Sequence, residues 1–221
     1  MGCVANCLPM KTLRVLLPAL VIGLASCQVA YYAAMEQFGI EKRDLLKKAV
    51  AAVRQDQKEA GKEFQDALTQ LKALYGFNGG NLEAGYNKFK AEYEDCDAQA
   101  KQVSSRIKEM DRVARDLFRE WEKEIAEIST PALAADSRMK LSTTRQRFEV
   151  LSANLHSSEA SMAPVLRQFR DQVLYLKHNL NAAAIGSLRT TADGIQADIQ
   201  SLLGRLDQSV READAFIGSL R

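Results

Sequence analysis

From Leu82 to Ile128 the apolar residues return after four positions, then three, almost without a miss. They are Leu82, Tyr86, Phe89, Tyr93, Cys96, Ala100, Val103, Ile107, Met110, Ala114, Leu117, Trp121, Ile125 and Ile128. A spacing that averages 3.5 residues lines up on one narrow face of an α-helix and on no face of a strand. Glu, Lys, Asp, Arg and Gln fill the remaining positions, so this helix is not buried all round. A long helix with one apolar seam must lay that seam against other helices, and this requirement dominates what the chain can fold into.

The rest of the chain supplies matching partners. Helical patterning begins near Met35 and runs to about residue 75, with Leu46, Val50, Val53, Ala60, Phe64, Ala67, Leu71 and Leu74 on one stripe and Gln57 as its sole interruption. Residues 76–81 carry the clearest turn signal. Gly76 suits a left-handed position past a helix end, and Asn81 suits the cap of the next helix. Ser129-Thr130-Pro131 marks a second boundary, with Pro131 in a first turn and Thr130 as its cap. A third stripe follows: Phe148, Leu151, Leu155, Met162, Leu166, Phe169, Val173, Leu176 and Leu180. Pro164 lies within it, and the unbroken periodicity implies a kink or brief break rather than a domain boundary. A turn is expected around Lys177 to Asn181, with Asn181 as a cap. The fourth stripe is Leu188, Ala192, Ile195, Ile199, Leu202, Leu206, Val210, Ala213, Ile217 and Leu220.

At 1.5 Å per residue the first three segments would run roughly 60–70 Å and the last about 55–60 Å. Helices of matched length close into a bundle, and each Leu or Phe buried between them contributes about 1.5–3 kcal/mol. The expected fold is therefore all-α: an elongated, antiparallel, up-down-up-down four-helix bundle over residues 35–221 with coiled-coil-like packing. The alternative is three long helices, with the last two stripes continuous.

Residues 1–26 read as a signal peptide. Lys11 and Arg14 provide the positive region, and Val15 to Ala25 an apolar core of 11 residues. A bilayer span needs about 20. Either Met1 or Met10 would serve as the start. The ending Leu24-Ala25-Ser26-Cys27 resembles the lipobox of bacterial lipoproteins, which implies cleavage before Cys27 and lipidation of that residue. Several acyl chains on one residue give stable anchoring where a single chain is marginal. Residues 27–34 would form the lipidated cysteine and a short tether, its two tyrosines suited to the headgroup region. Gln28, where enteric-type sorting reads Asp as inner-membrane retention, resembles the outer-membrane class facing the periplasm.

Lys and Arg number 30 against 28 Asp and Glu. Without Lys11 and Arg14 the balance is zero, which argues against nucleic acid as a partner. The four cysteines suggest no disulfide framework. Cys3 and Cys7 precede the cleavage site, Cys27 is the lipid candidate, and Cys96 sits on the apolar seam as a small buried hydrophobe.

Catalytic and metal chemistry find little to build on. A carboxylate-bridged metal site in a bundle wants Glu-x-x-His pairs, but Ala153 precedes His156 by three and Tyr175 precedes His178 by three. Glu120 with Glu124, and Glu92, Glu94, Asp95 and Asp97, read as solvated acidic faces. No metal, cofactor or enzymatic activity is expected. The 76–80 stretch lacks the Gly-Lys-Ser/Thr of a phosphate loop. Small residues at Ala182, Ala183, Ala184 and Gly186 leave room for a pocket, although close helix packing explains them equally. The residues from Phe169 to Ala182 are less ordinary. Arg170, Asp171, Tyr175, Lys177, His178, Asn179 and Asn181 would either cap the final turn or present an interaction surface.

That stretch, with Gln37-Phe38-Gly39-Ile40-Glu41-Lys42-Arg43-Asp44 and Phe77-Asn78-Gly79-Gly80, resembles a family of uncharacterised bacterial proteins catalogued as a domain of unknown function. Its members look like secreted helical lipoproteins, which implies location and fold and no activity. The expectation is a membrane-anchored, non-enzymatic helical scaffold or interaction module with an envelope protein as partner, self-association being open to it. A small-ligand- or lipid-binding bundle is the alternative.

Overall fold

The computed structural model describes residues 42–76 and 81–220, and the side chains of these except 182–184 and 187–193. The chain divides into two units, 1–44 and 45–221, and the second holds the bundle. Among the described residues four helices follow one another: α1 (Lys42–Tyr75), α2 (Leu82–Glu127), α3 (Pro131–His178) and α4 (Ala182–Ser219). The turn at 179–181 separates α3 from α4, so the last two stripes belong to two helices.

Side-chain pairs fix the topology. Leu74 lies beside Gly85, and Gln99 donates to the Asp56 carbonyl at 2.8 Å, so α1 and α2 run antiparallel. Trp121 Nε1 donates to Ser137 Oγ at 2.9 Å and Ser152 to Asp111 at 2.9 Å, so α3 returns along α2. Gln168 donates to Asp198 at 2.7 Å and Asn154 to Glu212, which turns α4 back along α3. Arg54 pairs with Asp214, bringing α4 against α1 and closing the up-down-up-down square.

The stripes are the core. Every named residue on α2 is buried or half-buried, as are those on α1, with Val113 and Phe118 added on α2. Two aromatic layers pin the bundle. Phe169 stacks on Phe64 at 6.2 Å and takes Phe89 edge-on at 5.6 Å; nearer the α2–α3 turn, Phe148 meets Phe118 at 5.7 Å and Phe216 at 5.8 Å, both edge-on. Between them lies a polar layer. Gln57, 0% exposed, donates through Nε2 to Ser158 Oγ at 2.7 Å and accepts from Ser209 Oγ. Both hydroxyls also reach the carbonyl three residues back, Leu155 and Leu206, at 2.9 Å. The break in the first stripe is thus matched by serines on α3 and α4.

The boundaries refine several expectations. Asn81 accepts from Ala84 N–H at 3.0 Å and caps α2. Thr130 occupies the corresponding position before Pro131, but its side chain makes no capping bond. Gly76 donates its N–H to the Lys72 carbonyl at 3.0 Å, and its φ lies outside the left-handed range, so it completes the last turn of α1 rather than reversing the chain. Pro164 breaks nothing: α3 runs through it. The carbonyl it leaves unbonded is that of Ala160, and both residues are exposed, so water can satisfy it. Leu180 is half-exposed in the turn and is not core, because α3 ends at His178 and the seam's phase ends with it. Leu188 and Ala192 fall among the side chains outside the described set.

Candidate functional site

Leu24, Ala25, Ser26 and Cys27 lie outside the described residues, so the anchor stands on sequence alone. The second candidate, near the end of α3, is in view. Asn179 terminates the helix: its N–H meets the Leu176 carbonyl at 3.2 Å and its Nδ2 donates to the Tyr175 carbonyl at 2.9 Å. The backbone carbonyl of Asn181 then accepts the Ile185 N–H at 3.2 Å, the first helical bond of α4. Side-chain capping therefore accounts for Asn179. Lys177 and His178 in the last turn suit the negative end of the helix dipole. Arg170, Asp171, Lys177 and His178 are exposed, together with Leu174 and Tyr175. Helical spacing sorts them into two adjacent rows, Arg170/Leu174/Lys177 and Asp171/Tyr175/His178. This is a mixed polar and apolar surface rather than a convergent site. It lies at the end of the bundle remote from Leu45, in the first turn of α1.

Among the described residues, two clusters of titratable groups invite a chemical reading. Carboxylate oxygens of Glu63, Glu92 and Asp95 lie within 4.8 Å of one another across α1 and α2. Of the acidic residues that sequence proximity grouped, Glu94 instead pairs with Lys90 at 3.4 Å and Asp97 with Lys101. Partial burial raises the Glu92 pKa, and Asp66, Glu63 and Asp95 raise it further against the weaker pull of Lys62. Cys96 is buried and free beside this cluster. Burial holds its thiol well above the usual range, the nearby carboxylates adding to the effect, so it is protonated and unreactive.

The second cluster superficially assembles hydrolase parts. Ser152 donates to Asp111, and His156 Nε2 meets the other Asp111 oxygen at 2.8 Å while Nδ1 faces Glu159 at 3.3 Å. In a nucleophilic triad the imidazole bridges serine and carboxylate. Here the carboxylate bridges serine and imidazole, so nothing activates the hydroxyl. The arrangement is a clasp between α2 and α3.

A groove of about 850 Å³ lies on the outside of the bundle between α3 and α4, lined by Val150, Leu151, Ala153, Ala215 and Phe216, with Arg147, Glu149 and Glu212 also on its wall. It is not at Ala182–Ala184, whose side chains are outside the described set. Gly186 is exposed with nothing within 4 Å of where a Cβ would be.

Residues 31–220, reaching to the last turn of α4, match the model of a family described as a protein of unknown function, DUF2959. The chain belongs to this family. The match takes in the whole bundle, so the DUF2959 domain has the four-helix architecture described above. No curated protein and no solved structure matches the chain.

The exposed face of α3 was absent from the sequence-based expectations. Met139 and Val150 are 64% and 62% exposed, and the signal that would have found them is a run of heptad-spaced positions free of charge.

Proposed function

We propose that this DUF2959 protein is a non-enzymatic lipoprotein of the bacterial envelope, anchored by lipid on Cys27 and displaying its bundle as an interaction module on the periplasmic side of the outer membrane. The observation that carries the anchor is the 11-residue apolar run ending in Leu24-Ala25-Ser26-Cys27, too short to span a bilayer and placed directly before the helical domain. Among the described residues no helix is long and apolar enough to cross a membrane. An interaction role agrees with the side-chain clusters: where polar groups converge, at Gln57 and at Asp111, they tie helices to one another. The mixed surface of Arg170, Leu174, Tyr175, Lys177 and His178 is the contact face we assign to an envelope protein. It stands at the opposite end of the bundle from Leu45, roughly 45–50 Å away at 1.5 Å per residue along α1. The outer groove is the observation favouring the second reading, a small apolar ligand or lipid.

Fractionating cells that express the full chain or Cys27→Ala tests the anchor. Wild type is expected in the membrane fraction and Cys27→Ala in the soluble periplasmic fraction; attachment that survives the substitution overturns it. A photo-crosslinker at Tyr175 or Lys177 should capture one defined envelope protein from wild type and lose it in Cys27→Ala. Capture of no protein from an anchored chain would refute the assigned contact face.

A further inference from the structure

Helix α3 carries two heptad seams, and the bundle uses only one. The inner seam, through Leu141, Phe148, Leu155, Met162 and Phe169, is buried. On the outer side Met139, Thr143, Gln146, Val150, Ala153 and Ser157 step by four and three, each exposed and none charged; the pattern continues through Ala160 to Pro164. A solvated helix face normally carries Lys, Arg, Asp and Glu, as the outer faces of α1 and α2 do. An uncharged face repeating every 3.5 residues has the pattern of a helix that packs along a partner of matching pitch. Beside Val150 the seam opens into the apolar groove shared with Ala215 and Phe216 of α4, so a partner would find a concave bed there.

The flanks indicate which partner. Arg147 and Glu149 project on opposite sides of the Gln146–Val150–Ala153 row, and both are on the groove wall. Among the described residues neither has an ion pair or hydrogen bond, so both are available to a partner laid along the seam. A seam with an unpaired cation on one flank and an unpaired anion on the other is complementary to itself. In two parallel helices related by a two-fold axis, each flank of one faces the opposite flank of the other, and every contact occurs twice. Antiparallel pairing would set like flank against like flank. We infer that the outer seam of α3 is a homodimer interface, occupied by the same seam of a second copy of this chain, with the two bundles parallel. The α2 heptad, an equally regular candidate from sequence, is consumed inside the bundle. The inference does not depend on the lipid anchor.

Cysteine substitution in the full chain, oxidised in intact cells that make it so that membrane-bound and unbound protein are both read, tests this. Symmetry places Val150 beside Val150 and Met139 beside Met139 only in the parallel arrangement. Oxidation of Val150→Cys, and separately of Met139→Cys, is expected to give a disulfide-linked homodimer at least tenfold faster than Lys108→Cys on the exposed face of α2. The unsubstituted chain, whose Cys96 is buried, sets the background. Arg147→Glu should reduce cross-linking of Val150→Cys severalfold, and adding Glu149→Arg should restore it. Homodimer from Val150→Cys but not Met139→Cys overturns the parallel arrangement. No homodimer above background from either, or a cross-link to a different protein, overturns the interface itself. A charge reversal that changes nothing removes the argument for a second copy. Circular dichroism of each variant, expected unchanged because all these positions are exposed, separates lost pairing from lost folding.

Discussion

The layer of Gln57, Ser158 and Ser209 makes an asymmetric prediction. Ser158→Ala with Ser209→Ala strips the buried Gln57 amide of both partners, leaving one donor and one acceptor without water or protein to bond. Each unsatisfied buried group costs about 1–3 kcal/mol, so the double variant should lose about 2–6 kcal/mol. Gln57→Leu removes the amide instead. Both hydroxyls then keep their bonds to the Leu155 and Leu206 carbonyls at 2.9 Å, and a side chain of similar length fills the space. Its cost should stay within about 1 kcal/mol. The triple variant, with an apolar layer throughout, should recover most of what the serine pair lost. Thermal unfolding followed by helical circular dichroism measures this, since 1 kcal/mol shifts Tm by about 2–4 °C in a chain of this size. The reasoning fails if Gln57→Leu costs as much as the double serine variant, or if the triple variant shows the simple sum of the two.

Two further effects follow from the helix surfaces. Glu92 sits among Glu63, Asp66 and Asp95 with its pKa raised above the ordinary 4.5, so the folded state binds that proton more tightly and the repulsion grows as pH rises through and above that value. Glu92→Gln should therefore stabilise the protein at pH 7, by no more than about 0.5 kcal/mol because the site is partly solvated, and lose its advantage below about pH 4.5. Denaturant titrations at both pH values would expose the opposite trend if the carboxylate were instead stabilising. Gly204 lies mid-helix on α4, where a Cβ would meet nothing within 4 Å. Gly204→Ala should raise stability by about 0.4–1 kcal/mol by limiting the unfolded chain, and a loss in urea unfolding would show that the site demands glycine for another reason.

Much of the fold was legible because helices announce themselves by period. The seam of α2, the turn signals at Asn81 and Pro131, and the end of α3 near Asn179 are local: each depends on spacing or on a side chain bonding its own backbone. Leu180 was misplaced because a seam read by spacing alone continues past the residue where the helix actually ends. Gly76 was misread for a similar reason, since glycine permits a left-handed turn without requiring one. For the candidate surfaces, sequence singled out the polar residues from Arg170 to Asn181 and expected Asn181 as the cap, whereas the side chain that bonds the helix end is that of Asn179. It passed over Met139 and Val150, whose uncharged row was overshadowed by the stronger inner seam of the same helix.

By itself the sequence determined that this chain makes long amphipathic helices and where they break, and it supplied the Cys27 motif on which the proposed anchor rests. What only the tertiary structure decided is which residues far apart in the chain share a layer. Gln57 looked like a flaw in one stripe until α3 and α4 placed Ser158 and Ser209 against it. Glu63 joined Glu92 and Asp95 only when α1 lay beside α2, and the outer seam of α3 became an unpaired face only once the bundle had closed without it. Periodicity is a property of one helix, whereas partnership depends on how helices are rotated and registered against each other, and that is set by the packing of all four together.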